Sequence, residues 1–372
     1  MKYVEINKFI PLASPDINEQ DIACVTAVLR SGMLVQGVNV LALEKSFNDF
    51  NGSKNAIALS NGTATLHLAL LALGIGKGDE VIVPAFSYVA TANVVEMVGA
   101  TCVFVDIDIS TFNIDVTKVE ALITTKTKAI IPVHEFGLAC DIEAVMQIAT
   151  KHNLYVIEDA ACALGAMQNG KYVGTFGNLG SFSLHPRKSI TCGEGGMLLT
   201  ADDALAKKLR QLRNHGIEME DGKMHFVGAG LNYRMTDFQA ALANSQMQRL
   251  PAILKYKQEL AEVYFNEIKN EKIILPSVPS NRNHTWQTFH MLIDEEQDQS
   301  NVLAQLKENN IGANYGAQCI PATEYYKAKY LLNSEQQFPN AYRAFTKGVA
   351  IPIYEKLTKD NIKQISNSIN QL

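Results

Sequence analysis

Short apolar runs recur along the first 200 residues and alternate with longer stretches in which apolar residues return every three or four positions. Continuous runs of Val, Ile, Leu and Phe are typical of strands that are buried on both faces of a parallel sheet. Helical stretches at 63–74 and 141–153 separate them, which favours right-handed strand–helix–strand crossovers. Seven strands are predicted, at 56–59, 81–84, 102–106, 129–133, 154–159, 181–184 and 196–200.

The pattern changes after the fifth of these strands. Only residues 185–195 separate the last two strands, which is too few for a crossover helix, so we predict that this pair is antiparallel. Residues 201–254 are interpreted as helical and charged, with Thr236 and Gln239 at the spacing of a capping box. We predict a large domain over 1–254 and a smaller α/β domain over 255–372, with residues 1–25 as a candidate to pack on the smaller one.

Charge and cysteine usage narrow the class of protein. Lys and Arg number 33 and Asp and Glu number 38, giving a formal net charge of −5, which argues against nucleic acid and anionic membranes as partners. No apolar run reaches the length of a membrane span, and the N-terminal segment MKYVEINKFIPLASP lacks the apolar stretch of a signal peptide. The six cysteines form no CxxC pair, so no metal site is predicted. We expect a cytoplasmic protein with reduced thiols.

Three short segments carry candidate chemistry, and each has a plainer interpretation. In SNGTATLHLAL (60–70) a predicted strand ends and Asn61, Gly62 and Thr63 open a helix. The free N–H groups of a helix start can hold an anion, and glycine lets the backbone approach it closely. The plainer interpretation is an ordinary helix N-cap.

The second and third segments centre on Asp159 and Lys188. Asp159 ends a predicted central strand, where open α/β sheets bind ligands, although it could simply cap the next helix. Lys188 lies between two strands, before the run GEGG (193–196). It could be a solvated turn lysine, but the glycines indicate a tight backbone path near a bound molecule.

Together the three segments contain the groups that pyridoxal phosphate requires. A lysine can form the covalent link to this cofactor, a carboxylate can keep its pyridine nitrogen protonated, and a helix start can hold its phosphate. We expect partial burial and the nearby pyridinium to keep the free amine of Lys188 neutral.

Eight blocks in one order extend the pattern over nearly the whole chain. Through them the sequence resembles the DegT/DnrJ/EryC1/StrS aminotransferases, pyridoxal-phosphate enzymes of fold type I that aminate nucleotide-linked keto sugars. The resemblance implies a large domain with a seven-stranded, mostly parallel sheet and a smaller C-terminal α/β domain. The blocks are LEKSF, SNGTATLHLAL, VIVPAFSYVATAN, CVFVDID, IPVHEFG, VIEDAACALGA, GTFGNLGSFSLHPRKSITCGEGGM and GLNYRMTDFQAAL.

The resemblance assigns roles to the residues of the three segments. Lys188 corresponds to the lysine that binds the cofactor covalently and moves the proton. Asp159 corresponds to the aspartate on the pyridine nitrogen. The phosphate turn of the family corresponds to Gly62, Thr63 and Ala64.

Four further positions are assigned in the same way. Ser183 corresponds to another phosphate ligand, and Tyr88 to the aromatic residue that stacks on the cofactor ring. Asn232 corresponds to an asparagine that reaches the phosphate of the neighbouring subunit, which implies a homodimer with shared active sites. Cys162 stands where the family usually has Gln, His or Glu beside the phenolic oxygen of the cofactor. Asp237 stands where Glu is commoner, and no function is attached to it.

The resemblance implies an enzyme that moves an amino group from L-glutamate, through pyridoxamine phosphate, to a nucleotide-linked 3-keto or 4-keto deoxy sugar. His185, Arg187 and Tyr315 are candidate substrate contacts. A dehydratase branch of the family has His in place of the lysine, so Lys188 argues against it. A cofactor-binding regulatory protein should have lost Lys188, Asp159 or the phosphate turn. An aminotransferase for a cyclitol ketone stays open.

Overall fold

The computed structural model describes residues 9–372, so the first eight residues of the predicted segment 1–25 lie outside it. Within that range the helices are α1 Glu19–Ser31, α2 Val38–Asn51, α3 Gly62–Ala72, α4 Ala90–Met97, α5 Val116–Val119, α6 Ile142–His152, α7 Asp203–Arg213, α8 Asp237–Met247, α9 Leu250–Glu267, α10 Gln299–Glu308, α11 Glu324–Tyr330, α12 Ser334–Gln337, α13 Pro339–Lys347 and α14 Lys359–Ile369. The strands are β1 Asn55–Leu59, β2 Glu80–Pro84, β3 Phe86–Ser87, β4 Thr101–Val105, β5 Thr127–Ile130, β6 Tyr155–Asp159, β7 Met167–Gln168, β8 Lys171–Tyr172, β9 Leu179–Ser183, β10 Gly196–Thr200, β11 Ile217–Glu220, β12 Lys223–Phe226, β13 Ile273–Ile274, β14 Phe289–Ile293, β15 Gln318–Cys319 and β16 Gly348–Ile351.

A seven-stranded sheet in the order β1-β10-β9-β6-β5-β2-β4 forms the centre of the protein. The pairs between β9, β6, β5, β2 and β4 are parallel, and β10 runs antiparallel to both of its neighbours. The seven predicted strands, the antiparallel pair and the fold class are therefore confirmed. The carboxyl ends of β5, β6 and β9 meet at one edge of the sheet, which is where the candidate residues lie.

Both faces of this sheet are covered, which explains why its strands read as unbroken apolar runs. Leu68 of α3 and Val94 of α4 belong to one core cluster with Ile57 and Val83 of the sheet. The strand residues that alternate with those of the first cluster belong to two other clusters. These two clusters also contain residues of α2, α6 and α8. Because side chains alternate across a strand, these clusters lie on opposite faces.

One part of the sequence interpretation is wrong. Residues 201–254 do not form helices throughout, because β11 and β12 pair as an antiparallel hairpin. Asp221 and Gly222 connect the two strands and both have positive φ, at 49° and 72°. Such turns match the right-handed twist of a hairpin, and Asp-Gly is a preferred pair for them.

A second core lies around the three-stranded sheet β13-β14-β16 and contains residues of α9, α10 and α14. Helix α9 contributes Ile253 to the core of the large sheet and Leu260 to this second core. The predicted boundary at 254/255 falls inside α9, where its packing passes from one core to the other. Ile10 pairs with Ile311 and packs in the second core.

Asp237, to which no role was attached, holds the start of α2. Its Oδ1 accepts hydrogen bonds from the backbone N–H groups of Gly37, Asn39 and Val40 at 2.9–3.1 Å. A carboxylate stabilises a helix N-terminus by filling its free donors and opposing its dipole. The carboxylate therefore ties α2 to the N-terminus of α8.

No helix among residues 9–372 combines the length and the apolar character needed to cross a membrane.

Candidate active site

Lys188 lies in the loop that joins β9 to β10, at the carboxyl end of β9. Its backbone N–H donates a hydrogen bond of 2.8 Å to the carbonyl of His185 and so stabilises the turn. The side chain is mostly buried, and its Nζ donates to Cys162 Sγ at 3.0 Å. Lys188 is therefore not a solvated turn lysine, because it points into a site formed by neighbouring strand ends.

Asp159 ends β6, the parallel neighbour of β9, and is buried. Its Oδ2 accepts from the hydroxyl of Thr91 at 2.8 Å, and its Oδ1 accepts from the N–H of Ala161 at 3.2 Å. Burial raises the pKa of this carboxyl, and the two donors and Lys188 oppose that shift. The residue is positioned to meet a positively charged partner.

The phosphate turn has both of the features proposed for it. Asn61 is the N-cap of α3, and its side chain accepts from the N–H of Ala64 at 2.8 Å. The N–H of Ala64 is therefore already occupied, whereas those of Gly62 and Thr63 have no acceptor among the described residues. These two donors remain free for an anion.

Ser183 and Gly62 lie directly against each other. A Cβ added to Gly62 would lie 2.8 Å from the Cβ of Ser183, which real Cβ atoms do not tolerate. Glycine is required here because it lets the start of α3 pack against the end of β9. The hydroxyl of Ser183 and the free N–H groups of α3 are thus neighbours, as a shared anion site requires.

The groups around Lys188 oppose the effect of its burial. Burial lowers the pKa of Lys188, but the Cys162 sulfur and the carboxyls of Asp159 and Glu135 raise it, and the net direction is upward. The expectation of a neutral amine concerns the protein with the pyridinium of the cofactor beside Lys188, so it stays a prediction; in the protein alone the surrounding groups favour the ammonium form. A cationic partner on Asp159 would remove part of this effect.

Glu135 belongs to the site although no sequence argument singled it out. It is buried in the turn that follows β5 and precedes Gly137. Burial, together with the charge of Asp159, raises the pKa of Glu135 to about 8. Its only sequence signal is its place in the block IPVHEFG, at the end of a strand.

Tyr88 and Asn232 are both exposed. Tyr88 follows β3, and its carbonyl accepts from the N–H of Thr91, whose hydroxyl binds Asp159. Asn232 lies next to Tyr233, whose carbonyl accepts from the N–H of Ser60 at 2.9 Å. The segment with Asn232 therefore lies beside the phosphate turn of its own chain, which sequence reasoning missed.

The three candidate substrate residues are placed differently. His185 and Arg187 lie on the loop that contains Lys188. The backbone N–H of Arg187 donates to His185 Nδ1 at 3.3 Å, and the carbonyl of Arg187 accepts a hydrogen bond from the side chain of Gln287. Tyr315 packs against Phe345 and accepts from Gln318. It is linked to the site only indirectly, through β15, which pairs with β3 just before Tyr88.

The residues present fit pyridoxal phosphate. Two free N–H groups and a hydroxyl can hold a phosphate, a buried carboxylate can face a pyridinium, and a lysine amine lies at the adjacent strand end. This donor set, on three neighbouring elements, matches the cofactor at its phosphate, its ring nitrogen and its reactive carbon.

Known proteins resemble the chain along its full length. The spore coat polysaccharide biosynthesis protein SpsC of Bacillus subtilis is 36% identical over 98% of this chain and 97% of that protein. The structure of the putative sugar aminotransferase Spr1654 from Streptococcus pneumoniae in its PMP form has a TM-score of 0.92, with 28% identity over 98% of this chain and 97% of that one. Helicobacter pylori PseC, an aminotransferase involved in the biosynthesis of pseudoaminic acid, has a TM-score of 0.93, with 27% identity over 98% and 99%.

Structures of Spr1654 in both a PLP form and a PMP form are among these neighbours. The prediction of pyridoxal phosphate as cofactor, with pyridoxamine phosphate as its other form, is thereby confirmed. A model of the DegT/DnrJ/EryC1/StrS aminotransferase family matches residues 15–370. Because that match spans nearly the whole chain, the protein belongs to this family of sugar aminotransferases.

Proposed function

We propose that the protein transfers an amino group from L-glutamate to a nucleotide-linked 3-keto or 4-keto deoxy sugar, as a step in amino-sugar biosynthesis for a polysaccharide. The observation that carries the proposal is the contact of Lys188 with Cys162 beside the buried carboxyl of Asp159. The description of SpsC as a spore coat polysaccharide biosynthesis protein and that of Spr1654 as a putative sugar aminotransferase support the choice of sugar.

Each residue of the site has a physical task in this reaction. Gly62, Thr63 and Ser183 would hold the phosphate, Asp159 would bind the ring nitrogen, and Tyr88 would cover the ring. The bound cofactor supplies an electron sink for the carbon that carries the amino group. Lys188 then moves a proton at that carbon, because its Nζ is the basic group that the loop places at the strand ends.

A panel of substrates tests the proposal. Protein that has been loaded with cofactor and treated with L-glutamate is incubated with nucleotide-linked 3-keto and 4-keto sugars and, separately, with a cyclitol ketone. Mass spectrometry measures the aminated product. Amination of one nucleotide-linked sugar is expected. Amination of the cyclitol alone, or of none of the ketones by cofactor-loaded protein, would contradict the proposal.

Cys162→Gln is expected to keep activity within about tenfold, because the amide oxygen can accept from Lys188 in place of the sulfur. Cys162→Val, of similar size to Cys but without an acceptor, is the matched comparison and should lose more. Initial rates with two different sugars measure the effect. If Cys162→Gln loses activity with one sugar only, Cys162 shapes the substrate pocket instead.

The proposal includes a cytoplasmic homodimer. The six cysteines are unpaired, as in a reducing compartment. Large apolar side chains are exposed at the end of α1, on the segment that joins α1 to α2 and at the start of α2, which is typical of an interaction surface. They are Leu29, Met33, Leu34, Val35, Val38 and Leu41.

Two inactive variants should complement if Asn232 serves the site of the partner subunit. Lys188→Ala and Asn232→Asp are refolded together, and about a quarter of wild-type activity is expected from random pairing in a symmetric dimer. Asn232→Asp alone should be inactive because its carboxylate repels the phosphate. The measurement is activity after mixing, with dimers confirmed by sedimentation.

The control mixture pairs Lys188→Ala with Asp159→Asn. Each of these variants damages the site of the chain that carries it, so the mixed dimer has no intact site and should not recover activity. Absence of recovery in the first mixture, with dimers present, would place Asn232 in the site of its own chain. The contact between Tyr233 and Ser60 makes that outcome physically reasonable.

A further inference from the structure

Glu135 is a buried carboxyl to which the proposed reaction gives no task. It is 4% exposed, and its Oε2 has no hydrogen-bond partner among residues 9–372. A buried carboxyl oxygen without a partner is costly to the fold, whether the group is charged or neutral. A side chain of this kind at a cofactor site is a candidate for function rather than for packing.

The backbone around Glu135 is held firmly beside Asp159. The N–H of His134 donates to the carbonyl of Asp159 at 3.0 Å, and the N–H of Glu135 donates to Asn113 Oδ1 at 2.8 Å. Phe136 adopts a left-handed conformation with φ of 57°. That conformation is unfavourable for a bulky residue and persists only where surrounding contacts enforce it.

Glu135 and the residues around Lys188 form one group, the lysine cluster, which consists of Lys188, Cys162, Asp159 and Glu135. A Cβ added to Gly137 would lie 3.2 Å from the carbonyl oxygen of Cys162, so the turn with Glu135 packs on the segment with Cys162. Cys162 Sγ in turn lies 3.0 Å from Lys188 Nζ. The lysine cluster thus connects the turn after β5, the segment at the end of β6 and the loop after β9.

The groups that face Glu135 come from three elements. Asp159 and Cys162 come from the end of β6 and the turn directly after it, Lys188 from the loop after β9, and the hydroxyl of Ser87 from β3. Burial and Asp159 together raise the pKa of Glu135 to about 8. At neutral pH Glu135 is therefore mainly protonated. Burial also raises the pKa of Asp159, but its two hydrogen-bond donors favour the charged form and oppose that shift.

We propose that Glu135 is a positioning residue for the proton on Lys188, adding a negative charge to the lysine cluster when it ionises and withholding that charge when it is protonated. While Glu135 is protonated, Asp159 is the carboxylate that holds the proton on Lys188. Once Glu135 ionises, a second negative charge favours the ammonium form, and Lys188 gives up its proton at a higher pH. The inference deepens the proposed function, since it concerns the residue that moves the proton there.

The test measures Lys188 alone, in the full chain without cofactor. The rate at which cyanate modifies Lys188 is followed by peptide mass spectrometry as a function of pH, because only the neutral amine reacts. In Glu135→Gln the reactivity curve should move to lower pH by about one to two units, as expected for removal of one nearby charge. Glu135→Asp, which keeps the charge, should stay near the wild-type curve.

An unchanged curve in Glu135→Gln would overturn the inference, because a merely structural residue would alter stability without moving this curve. Glu135→Met, of similar length and without charge, should give the same shift and replaces Glu135→Gln if that variant does not fold. The readout needs neither cofactor nor sugar. The curve can therefore stay unchanged while the protein aminates a nucleotide-linked sugar, and it can shift while no ketone is aminated, so failure of the inference and failure of the proposed function are distinguishable.

Discussion

Lys188→Ala is expected to abolish amino transfer while leaving the fold intact. The variant removes the residue that we propose as the nucleophile for the cofactor and as the base that moves the proton, and loss of such a base costs on the order of 10²- to 10⁴-fold in rate. Folding should suffer less, by about 1–3 kcal/mol, since one buried hydrogen bond is lost and the nearby carboxyls can take up protons. Turnover and thermal unfolding measure the two effects.

Lys188→Arg is the matched control for charge. Arginine keeps the positive charge near Asp159 and Glu135, but it does not lose its proton and cannot act as nucleophile or base. Both variants should therefore be equally inactive, and Lys188→Arg should unfold nearer to the wild-type temperature. Activity in either variant above about one per cent of wild type would contradict the assigned role, given the size of the effect expected from a lost base.

Asp159→Asn should retain cofactor but lose most of its turnover. The amide keeps an oxygen that can accept the N–H of Ala161, so the shape of the site survives. It carries no charge, however, and cannot hold the ring nitrogen of the cofactor in its protonated form, on which the electron sink depends. A loss on the order of 10²-fold or more in rate is expected, with cofactor binding measured separately by equilibrium dialysis.

Thr91→Val is the control for this prediction. It removes the hydroxyl that donates to Asp159 at 2.8 Å and leaves the carboxylate in place. If the charge is what matters, Thr91→Val should lose far less activity than Asp159→Asn. Comparable losses in the two variants, or turnover near the wild-type rate in Asp159→Asn, would remove the proposed role from the carboxylate.

The central sheet could be predicted from sequence because its strands are buried on both faces. Each strand is a short apolar run, and the spacing between runs decides between a crossover helix and a direct antiparallel return. The hairpin β11–β12 was missed although its turn pair, Asp221-Gly222, is a recognisable signal. Its strands carry charged residues on an exposed surface, so they lack the apolar run that identified the others.

Residues of the candidate site could be proposed from sequence only where a motif carries the chemistry. Lys188 and Asp159 are marked by their positions at strand ends, and the structure brings both to one edge of the sheet. Glu135 and Asp237 could not be assigned, because their surroundings come from segments distant in sequence. Asp237 binds the start of α2 across about two hundred residues, and the pKa of Glu135 depends on burial that no local pattern reveals.

The charge state of Lys188 shows the same limit. Sequence reasoning correctly expected burial, which lowers the pKa of a lysine. It could not include the carboxyl of Glu135 or the contact with Cys162, and these reverse the direction. A balance of opposing electrostatic effects depends on distances between atoms, and residue types alone do not give them.

The central claim is that Lys188 is the residue that binds the cofactor, and a covalent label tests it most directly. A second lysine, Lys257, is also buried. It lines a narrow cleft together with Lys188, and its Nζ lies 3.6 Å from the carboxylate of Glu355. Cofactor-loaded protein is reduced with borohydride, digested and examined by mass spectrometry. The account predicts that the reduced cofactor is attached to the peptide with Lys188 and that Lys257→Ala still takes up the label. Attachment to Lys257, or no attachment at Lys188 in protein that binds cofactor, would contradict it.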